Sequence, residues 1–234
     1  MTSHFPHAGG QAVATPPQTG KARVVLVDDH ELLRLALKDL LNNEPNLEVC
    51  GEASDADTAY LVISEKRPNL VIVDISLKSG DGLDVVRRVK TRFPDIQLIV
   101  LSMYDCKLYA ERSLRAGASG YINKQQPTRD ILDAVRTVLA GDVYLNQSMT
   151  REMLRRATQT GDPVTSSPLD TLSDRELEIY RLIGQGMATR QIARELHIST
   201  STVETYRERL KTKLRLKNGA ELTRHALQWV LENG

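Results

Sequence analysis

From Arg23 to Gly141 the chain repeats one unit: a short apolar run, a loop carrying acid or small polar residues, then an amphipathic stretch. RVVLVD (23–28) and NLVIVD (69–74) are unbroken apolar runs ending on aspartate. A strand that is apolar on both faces is covered on both faces. LEVCGEA (47–53), IQLIVLS (96–102) and SGYIN (119–123) read as three further strands. Helical spacing of Leu, Val and Ala marks 31–43, 55–67, 82–93, 106–117 and 128–141 as the intervening helices. Five strands alternating with five helices predict an α/β doubly wound, five-stranded parallel sheet with right-handed crossovers.

The pattern then changes. Residues 147–158 predict one more helix, and TQTGDPVTSSP (158–168) has the small polar, Gly and Pro content of a linker. Beyond it no strand pattern occurs. Ser173 with Glu176 three residues on forms a capping-box signature. Four short helices are expected, the first within LSDRELEIYRLIGQG (172–186), which opens at Ser173 and closes on Gly184 and Gly186, then at 189–196, 201–214 and 219–231, two of them joined by the tight turn HIST. The expected organisation is a disordered leader at 1–20, an α/β domain at 21–145, a linker with a helix at 146–168, and a small all-α helix-turn-helix domain at 169–234.

Composition removes several classes. No apolar run is long enough to cross a bilayer, so no membrane role is expected. Cys50 and Cys106 are too few for a disulfide framework and lack metal-ligand spacing. The first twenty residues carry neither a basic start nor an apolar stretch, and a cytoplasmic location is expected. Charge is uneven: the α/β portion is slightly acidic, whereas Glu204–Lys217 sets Arg207, Arg209, Lys211, Lys213, Arg215 and Lys217 against Glu204 and Glu208.

In an open α/β sheet, functional groups gather at the carboxyl ends of the strands. Those ends carry Asp28 and Asp29, Asp74, Ser102 and, just past the fifth strand, Lys124. Singly, each has an ordinary explanation as a turn former, a helix cap or a solvated charge. Together they define one pocket. Three carboxylates and a strand-end carbonyl suit Mg²⁺ or Mn²⁺. Beside such a cation and an ammonium, a carboxylate can attack a phosphoryl group, and a hydroxyl and a lysine can hold the acyl phosphate.

VVLVDDHELLR, LVIVDISLKSGDGLDVV, LIVLSMYD and AGASGYINK resemble, in order and spacing, the receiver domain of response regulators, a CheY/flavodoxin-like fold, over about residues 22–142. The resemblance implies that Asp74 is the phosphoacceptor, charged by a cognate sensor histidine kinase or a small phosphodonor. It implies that Asp28, Asp29, Asp74 and the Ser76 carbonyl hold Mg²⁺ (or Mn²⁺), and that Ser102 and Lys124 bind phosphoryl oxygens. Tyr121 would be the switch aromatic, turning inward on phosphorylation; packing of its ring at a sheet edge is the plainer alternative. Two departures stand out: Lys78 where the family often has proline, and Gln125 where proline commonly follows the lysine. The second predicts a different backbone after Lys124.

STVETYRERLKTKLRLK has the content of a recognition helix. Arg207, Lys211 and Lys213 are expected at phosphates, and Glu204, Thr205 and Glu208 at base edges. Thr200 and Ser201 lie at the helix start, where backbone N–H groups favour phosphate. Val203, Leu210 and Leu214 point inward by their spacing. Residues 170–222 resemble the LuxR-type helix-turn-helix of NarL/FixJ regulators. That likeness implies promoter DNA as partner and a homodimer built through Leu222, Ala226 and Trp229, for which packing inside the same domain is the alternative.

The resulting expectation is a transcriptional regulator, not an enzyme beyond accepting phosphate on itself. Phosphorylation of Asp74 would switch dimerisation and promoter binding, by freeing the recognition helix or by changing the receiver's dimer surface. Two other readings remain. An aspartyl phosphatase of the haloacid-dehalogenase type would need a second carboxylate two residues after the nucleophile, where Ser76 stands. A silent receiver controlled by a partner would not need the acids.

Overall fold

A computed structural model describes residues 20–233 except 78–79, 104–106 and 159–167. The leader before Gly20, most of the linker, Lys78 and Cys106 therefore lie outside the described residues. The elements are β1 (Ala22–Val27), α1 (Glu31–Asn42), β2 (Leu47–Ala53), α2 (Ala56–Lys66), β3 (Leu70–Asp74), α3 (Gly82–Arg92), β4 (Gln97–Ser102), α4 (Lys107–Ala116), β5 (Gly120–Asn123) and α5 (Thr128–Leu139). They continue with α6 (Gln147–Thr158), a 3₁₀ turn (Pro168–Thr171), α7 (Asp174–Gly184), α8 (Thr189–Glu195), α9 (Thr200–Lys213) and α10 (Gly219–Asn233). Each expected element is present, with ends shifted by a residue or two.

The five strands form one all-parallel sheet in the order β2-β1-β3-β4-β5. β3 is central and all five of its residues are buried. One face packs Leu37 and Leu41 of α1 with Ile131, Ala134, Val135 and Val138 of α5. The opposite face takes α2, α3 and α4, through Ala59, Ile63, Val86, Val89 and Tyr109. Its apolar cluster runs on into the C-terminal helices. Strand order reverses beside β1 and β3, so their carboxyl ends, carrying Asp28 and Asp74, open a crevice there.

The outer edge of β5 is not bare. The Tyr121 N–H donates to the Tyr144 carbonyl at 3.0 Å, and the Tyr144 N–H donates to the Ser119 carbonyl at 2.9 Å. One residue beyond α5 thus continues the ladder that ends at β5.

Two glycines set close approaches. A Cβ on Gly82, at the start of α3, would lie 2.0 Å from the Asp74 carbonyl oxygen. Only glycine lets α3 begin that near the end of β3, which fixes the loop after Asp74. A Cβ on Gly184 would lie 2.4 Å from the Ala226 carbonyl oxygen, so α7 and α10 cross there nearly backbone to backbone.

The C-terminal domain is closed by its own caps. Ser173 accepts from the Glu176 N–H, while Glu176 accepts from the Ser173 N–H at 2.7 Å, as the sequence signature requires. Ser199 caps α9 by accepting from the Thr202 N–H at 3.0 Å. α8, the turn at His197 and α9 form the helix-turn-helix, with Ile192, Ala193, Val203 and Leu210 inside.

Candidate functional site

β1 and β3 deliver their terminal acids to one pocket. Asp28 and Asp74 are each 1% exposed. Lys124, carried past β5, reaches back so that its ammonium lies 2.6 Å from Asp74 Oδ2 and 2.8 Å from Asp28 Oδ2. Its N–H donates to the Ser102 carbonyl at 2.7 Å, which locks the end of β5 beside β4. Ser102 is fully buried at the end of β4. Asp74 Oδ1 accepts from the Ser76 N–H at 3.1 Å, so the loop folds back over its own carboxylate.

Burial pushes the Asp74 carboxyl up to about 7, with Lys124 opposing the rise and Asp28 adding to it. Burial would lower the Lys124 ammonium, but the Asp74 and Asp28 carboxylates outweigh it and the net shift is upward. The pocket thus holds more negative than positive charge.

One oxygen makes this surplus concrete. Asp29 Oδ1 is buried, and the group nearest to it that can carry positive charge is the His30 ring, whose Nδ1 lies 2.9 Å away. Asp28, Asp29, His30 and Asp74 each offer a ligand atom, all within 4.8 Å of one another. The three carboxylates of this set fit a hard divalent cation.

Tyr121 is 1% exposed. Its ring sits inward, in the same core cluster as Tyr109 of α4. After Lys124, Gln125 donates its N–H to Asn123 Oδ1 at 2.7 Å, and Gln126 Oε1 accepts from the Asn123 N–H at 3.2 Å. Proline lacks the N–H used by the first of these bonds, and no cis peptide occurs among the described residues.

α9 differs in character. Thr200, Ser201, Glu204, Thr205 and Glu208 are exposed along it. Several charges are already paired: Thr189 Oγ1 donates to Glu204 Oε1 at 2.8 Å, Arg207 lies 3.7 Å from Glu204, and Lys211 lies 2.9 Å from Glu208. Lys213 corrects the expected phosphate set. Its ammonium is held 2.6 Å from the buried Glu176 and donates to the Thr171 carbonyl at 3.1 Å, so it ties α9 to the start of α7. Burial resists ionisation of Glu176, yet the Lys213 and Ser173 bonds hold its carboxyl below the usual range. Exposed Arg190 and Arg194 on α8, beside the same turn, were missed; their signal was two arginines four residues apart.

The expected dimer residues also need correcting. Leu222 and Ala226 are fully buried, and the Trp229 ring lies 5.7 Å from that of Tyr180. They secure α10 against α7, so a second chain cannot reach Leu222 or Ala226. The large apolar side chains that α10 exposes are Leu227 and Leu231.

Sequence reasoning treated the domains separately and missed their contact. The Ser76 hydroxyl, two residues after Asp74, donates to Glu178 Oε1 of α7 at 2.7 Å. Buried Arg112 of α4 donates to Asp174 Oδ1 at 2.8 Å and to the Leu172 and Leu169 carbonyls at 2.9 and 2.5 Å. A cavity of about 110 Å³ lies between the domains, lined by Asp29, His30, Asp74 and Met103 on one side and Arg175, Glu178, Glu195 and His197 on the other. The contact engages α7 and the turn after α8, while the polar face of α9 stays exposed. Packing of the domains therefore does not bury that face, contrary to one of the two expected switching routes.

Comparison with known proteins agrees with both halves. Residues 24–136 match the response regulator receiver domain, and residues 170–226 match the luxR family of bacterial regulatory proteins. The chain is 36% identical over 210 residues to the oxygen regulatory protein NreC of Staphylococcus haemolyticus, covering 88% of this chain and 97% of that one. The NreC of Staphylococcus carnosus matches equally well. This chain is a two-component response regulator with a LuxR-type output domain. Among solved structures, a LuxR-family response regulator from Aurantimonas sp. SI85-9A1 is 27% identical, with a TM-score of 0.56, over 60% of this regulator and 100% of that chain. RcsB of Salmonella enterica serovar Typhimurium, bound to promoter P1flhDC with phosphomimetic BeF₃⁻, shares the fold at a TM-score of 0.57 and 24% identity, covering 88% and 98% of the two chains. Among the described residues of this regulator, no helix is long and apolar enough to cross a membrane.

Proposed function

We propose that Asp74 is the phosphoacceptor and that its phosphorylation loosens the receiver from the output domain, so that paired output domains bind promoter DNA. The observation that carries this reading is the position of Asp74: it touches Lys124 on one side and, through the Ser76 loop, Glu178 of the output domain on the other.

The chemistry follows from the pocket. An Asp74 oxygen attacks phosphorus; the bond to the donor's leaving group breaks as the acyl phosphate forms. Lys124 neutralises charge on the phosphoryl oxygens, and the hydroxyl of Ser102 is the neutral donor at the end of β4. Asp28, Asp29, Asp74 and the Ser76 carbonyl would hold Mg²⁺ or Mn²⁺, which supplies further charge neutralisation when bound. The product carries more negative charge than the carboxylate it replaces, and the cavity above it is lined by Glu178 and Glu195, with Arg175 bound to Glu178 at 2.6 Å beside His197. The phosphoryl group repels Glu178 and competes with it for Arg175, which weakens the Ser76–Glu178 bond and shifts the population toward open molecules.

A sensor histidine kinase or a small phosphodonor supplies the phosphoryl group. Thr200, Ser201, Arg207 and Lys211 then meet DNA phosphates, Glu204, Thr205 and Glu208 face base edges, and exposed Leu227 and Leu231 offer α10's apolar surface to a second copy. Domain limits at 21–145 and 169–234 fit this division of labour, as does action in the cytoplasm.

The test compares the regulator with its Asp74→Asn variant for size in solution and affinity for promoter fragments, with Mg²⁺, with and without beryllofluoride. Tighter DNA binding of the unaltered chain alone supports the reading. An equal response from both proteins sinks it.

A further inference from the structure

Asp74 does not face open solvent. The space over it is the cavity of about 110 Å³ whose near wall carries Asp29, His30 and Asp74 and whose far wall carries Arg175, Glu178, Glu195 and His197 of the output domain. A round space of that volume is about 6 Å across, whereas a helix with its side chains is about 10–12 Å wide. An open hollow of about 380 Å³ shares His30, Glu195 and His197 with the cavity and carries Arg194, so the cavity is reached from solvent along that side. A small molecule can therefore meet Asp74 with the domains together, and a side chain borne on a helix cannot.

The far wall suits an anion at one point. Among the described residues lining the cavity, Arg175 alone bears a fixed positive charge. It is largely buried and held in place: its Nη1 lies 2.6 Å from Glu178 Oε2, and its Nη2 donates to the Leu196 carbonyl at 2.9 Å. A guanidinium has further N–H groups beyond these two, in a planar fork that matches a phosphate. Glu178 is itself bound to the receiver through the Ser76 hydroxyl. Arg175 is thus fixed over Asp74 only while the domains are closed. Glu178 and Glu195 oppose an anion here. Arg175 above and Lys124 below, 2.6 Å from Asp74, are the cations that answer them.

We infer that this cavity is a phosphodonor chamber shared by the two domains: the closed molecule takes a small acyl phosphate, bound through Arg175 of the output domain, and excludes a phosphohistidine presented on a helix until the domains part. The inference rests on the reading of Asp74 as the phosphoacceptor. With acetyl phosphate, an Asp74 carboxylate oxygen forms the new bond to phosphorus, the bond from phosphorus to the acyl oxygen breaks, and acetate leaves with that electron pair. No proton need move. Arg175 meets the donor's phosphoryl oxygens on entry, so its loss raises KM rather than lowering the maximal rate. An output domain that merely obstructed the pocket would do the reverse, and parting the domains would lower KM.

The experiment uses the full chain with Mg²⁺ and acetyl phosphate, phosphorylation being read by intact mass. Arg175→Gln takes away the anchor. Arg112→Ala, which does not line the cavity, breaks the clamp on Asp174 and parts the domains; X-ray scattering and thermal melts check opening and folding. Access by size is read separately on Asp74→Cys, with Cys50→Ser and Cys106→Ser, labelled by methyl methanethiosulfonate or by a maleimide carrying a polyethylene glycol chain. The expected result is a KM raised about fivefold in both Arg175→Gln and Arg112→Ala with little change in maximal rate, and a bulky label that reacts about tenfold faster once Arg112→Ala is added. A KM unchanged or lowered by either substitution, or a bulky label equally fast with the domains closed, overturns the chamber and leaves Asp74 standing as phosphoacceptor. No phosphorylation of the unaltered chain by acetyl phosphate, while the two labels still differ, overturns the phosphoacceptor reading itself.

Discussion

The strand-end pocket and the recognition helix carry charge in opposite ways. In the pocket, Asp28, Asp74 and the Lys124 side chain are almost wholly buried, and each is defined by the others. On α9 the acids Glu204 and Glu208 stand in water while Arg207 and Lys211 are partly covered, and these charges pair one turn away on the same helix or with Thr189 of α8, Lys213 alone reaching Glu176 of α7. A buried charge without a partner costs several kcal/mol, whereas an exposed one costs little. The pocket is therefore a unit that changes as a whole. The helix face is a set of nearly independent positions, free to be matched to one DNA sequence or another.

The contrast is broken most sharply at Lys124. Lys124→Ala should destabilise the metal-free regulator by about 3 kcal/mol, because it leaves a buried carboxylate pair without its ammonium. Urea unfolding measures this, and added Mn²⁺ should restore part of the loss. A loss no larger than that of a surface lysine would show the pocket to be less coupled than its geometry implies.

Next in size is Gly184→Ala. The new methyl group would press on the Ala226 carbonyl oxygen, and separating α10 from α7 should cost about 2 kcal/mol in a thermal melt of the chain. Glu178→Ala removes the acceptor for the Ser76 hydroxyl. Loss of about 1 kcal/mol of interdomain contact should strengthen DNA binding by the unphosphorylated protein about fivefold and enlarge its radius in X-ray scattering.

Acid supplies a milder probe of the same contact. Burial, and then the nearby Asp174 of α7, push the Asp81 carboxyl up to about 7, well above the usual range of an aspartate. A folded-state value above the unfolded one means the folded chain binds the extra proton. Stability therefore falls as pH rises between these two values, and is regained on acidification. Asp81→Asn keeps the cap that Asp81 makes with the Leu83 N–H and should flatten this slope in melts at pH 5 and pH 8. The smallest stability effect belongs to α9. Glu208→Ala should change stability by no more than about 0.5 kcal/mol while altering which promoter fragments bind best.

The same difference in burial explains what could be read from sequence. Unbroken apolar runs force five parallel strands, and parallel strands place their carboxyl ends on one rim, so Asp28, Asp74, Ser102 and Lys124 were legible before any coordinate. Lys213 was not, since nothing local separates a lysine aimed at DNA from one held by Glu176 on another helix. Leu222 and Ala226 misled for a related reason: an amphipathic helix announces an apolar face without saying whether its own domain or a second chain covers it. Arg112, Asp174 and Glu178 act across more than sixty residues of sequence. Their only local sign was acids one helical turn apart, which surface helices also carry.

The single residue that closes the outer rim of β5 has a practical consequence. Tyr144 lies past the last helix of the α/β fold, yet its peptide occupies hydrogen-bonding groups that would otherwise face solvent in an open ladder. A fragment trimmed at the end of α5 would present that raw margin to its neighbours, an invitation to strand-to-strand association. Cutting after Tyr144 instead should leave a fragment that stays monodisperse on a sizing column.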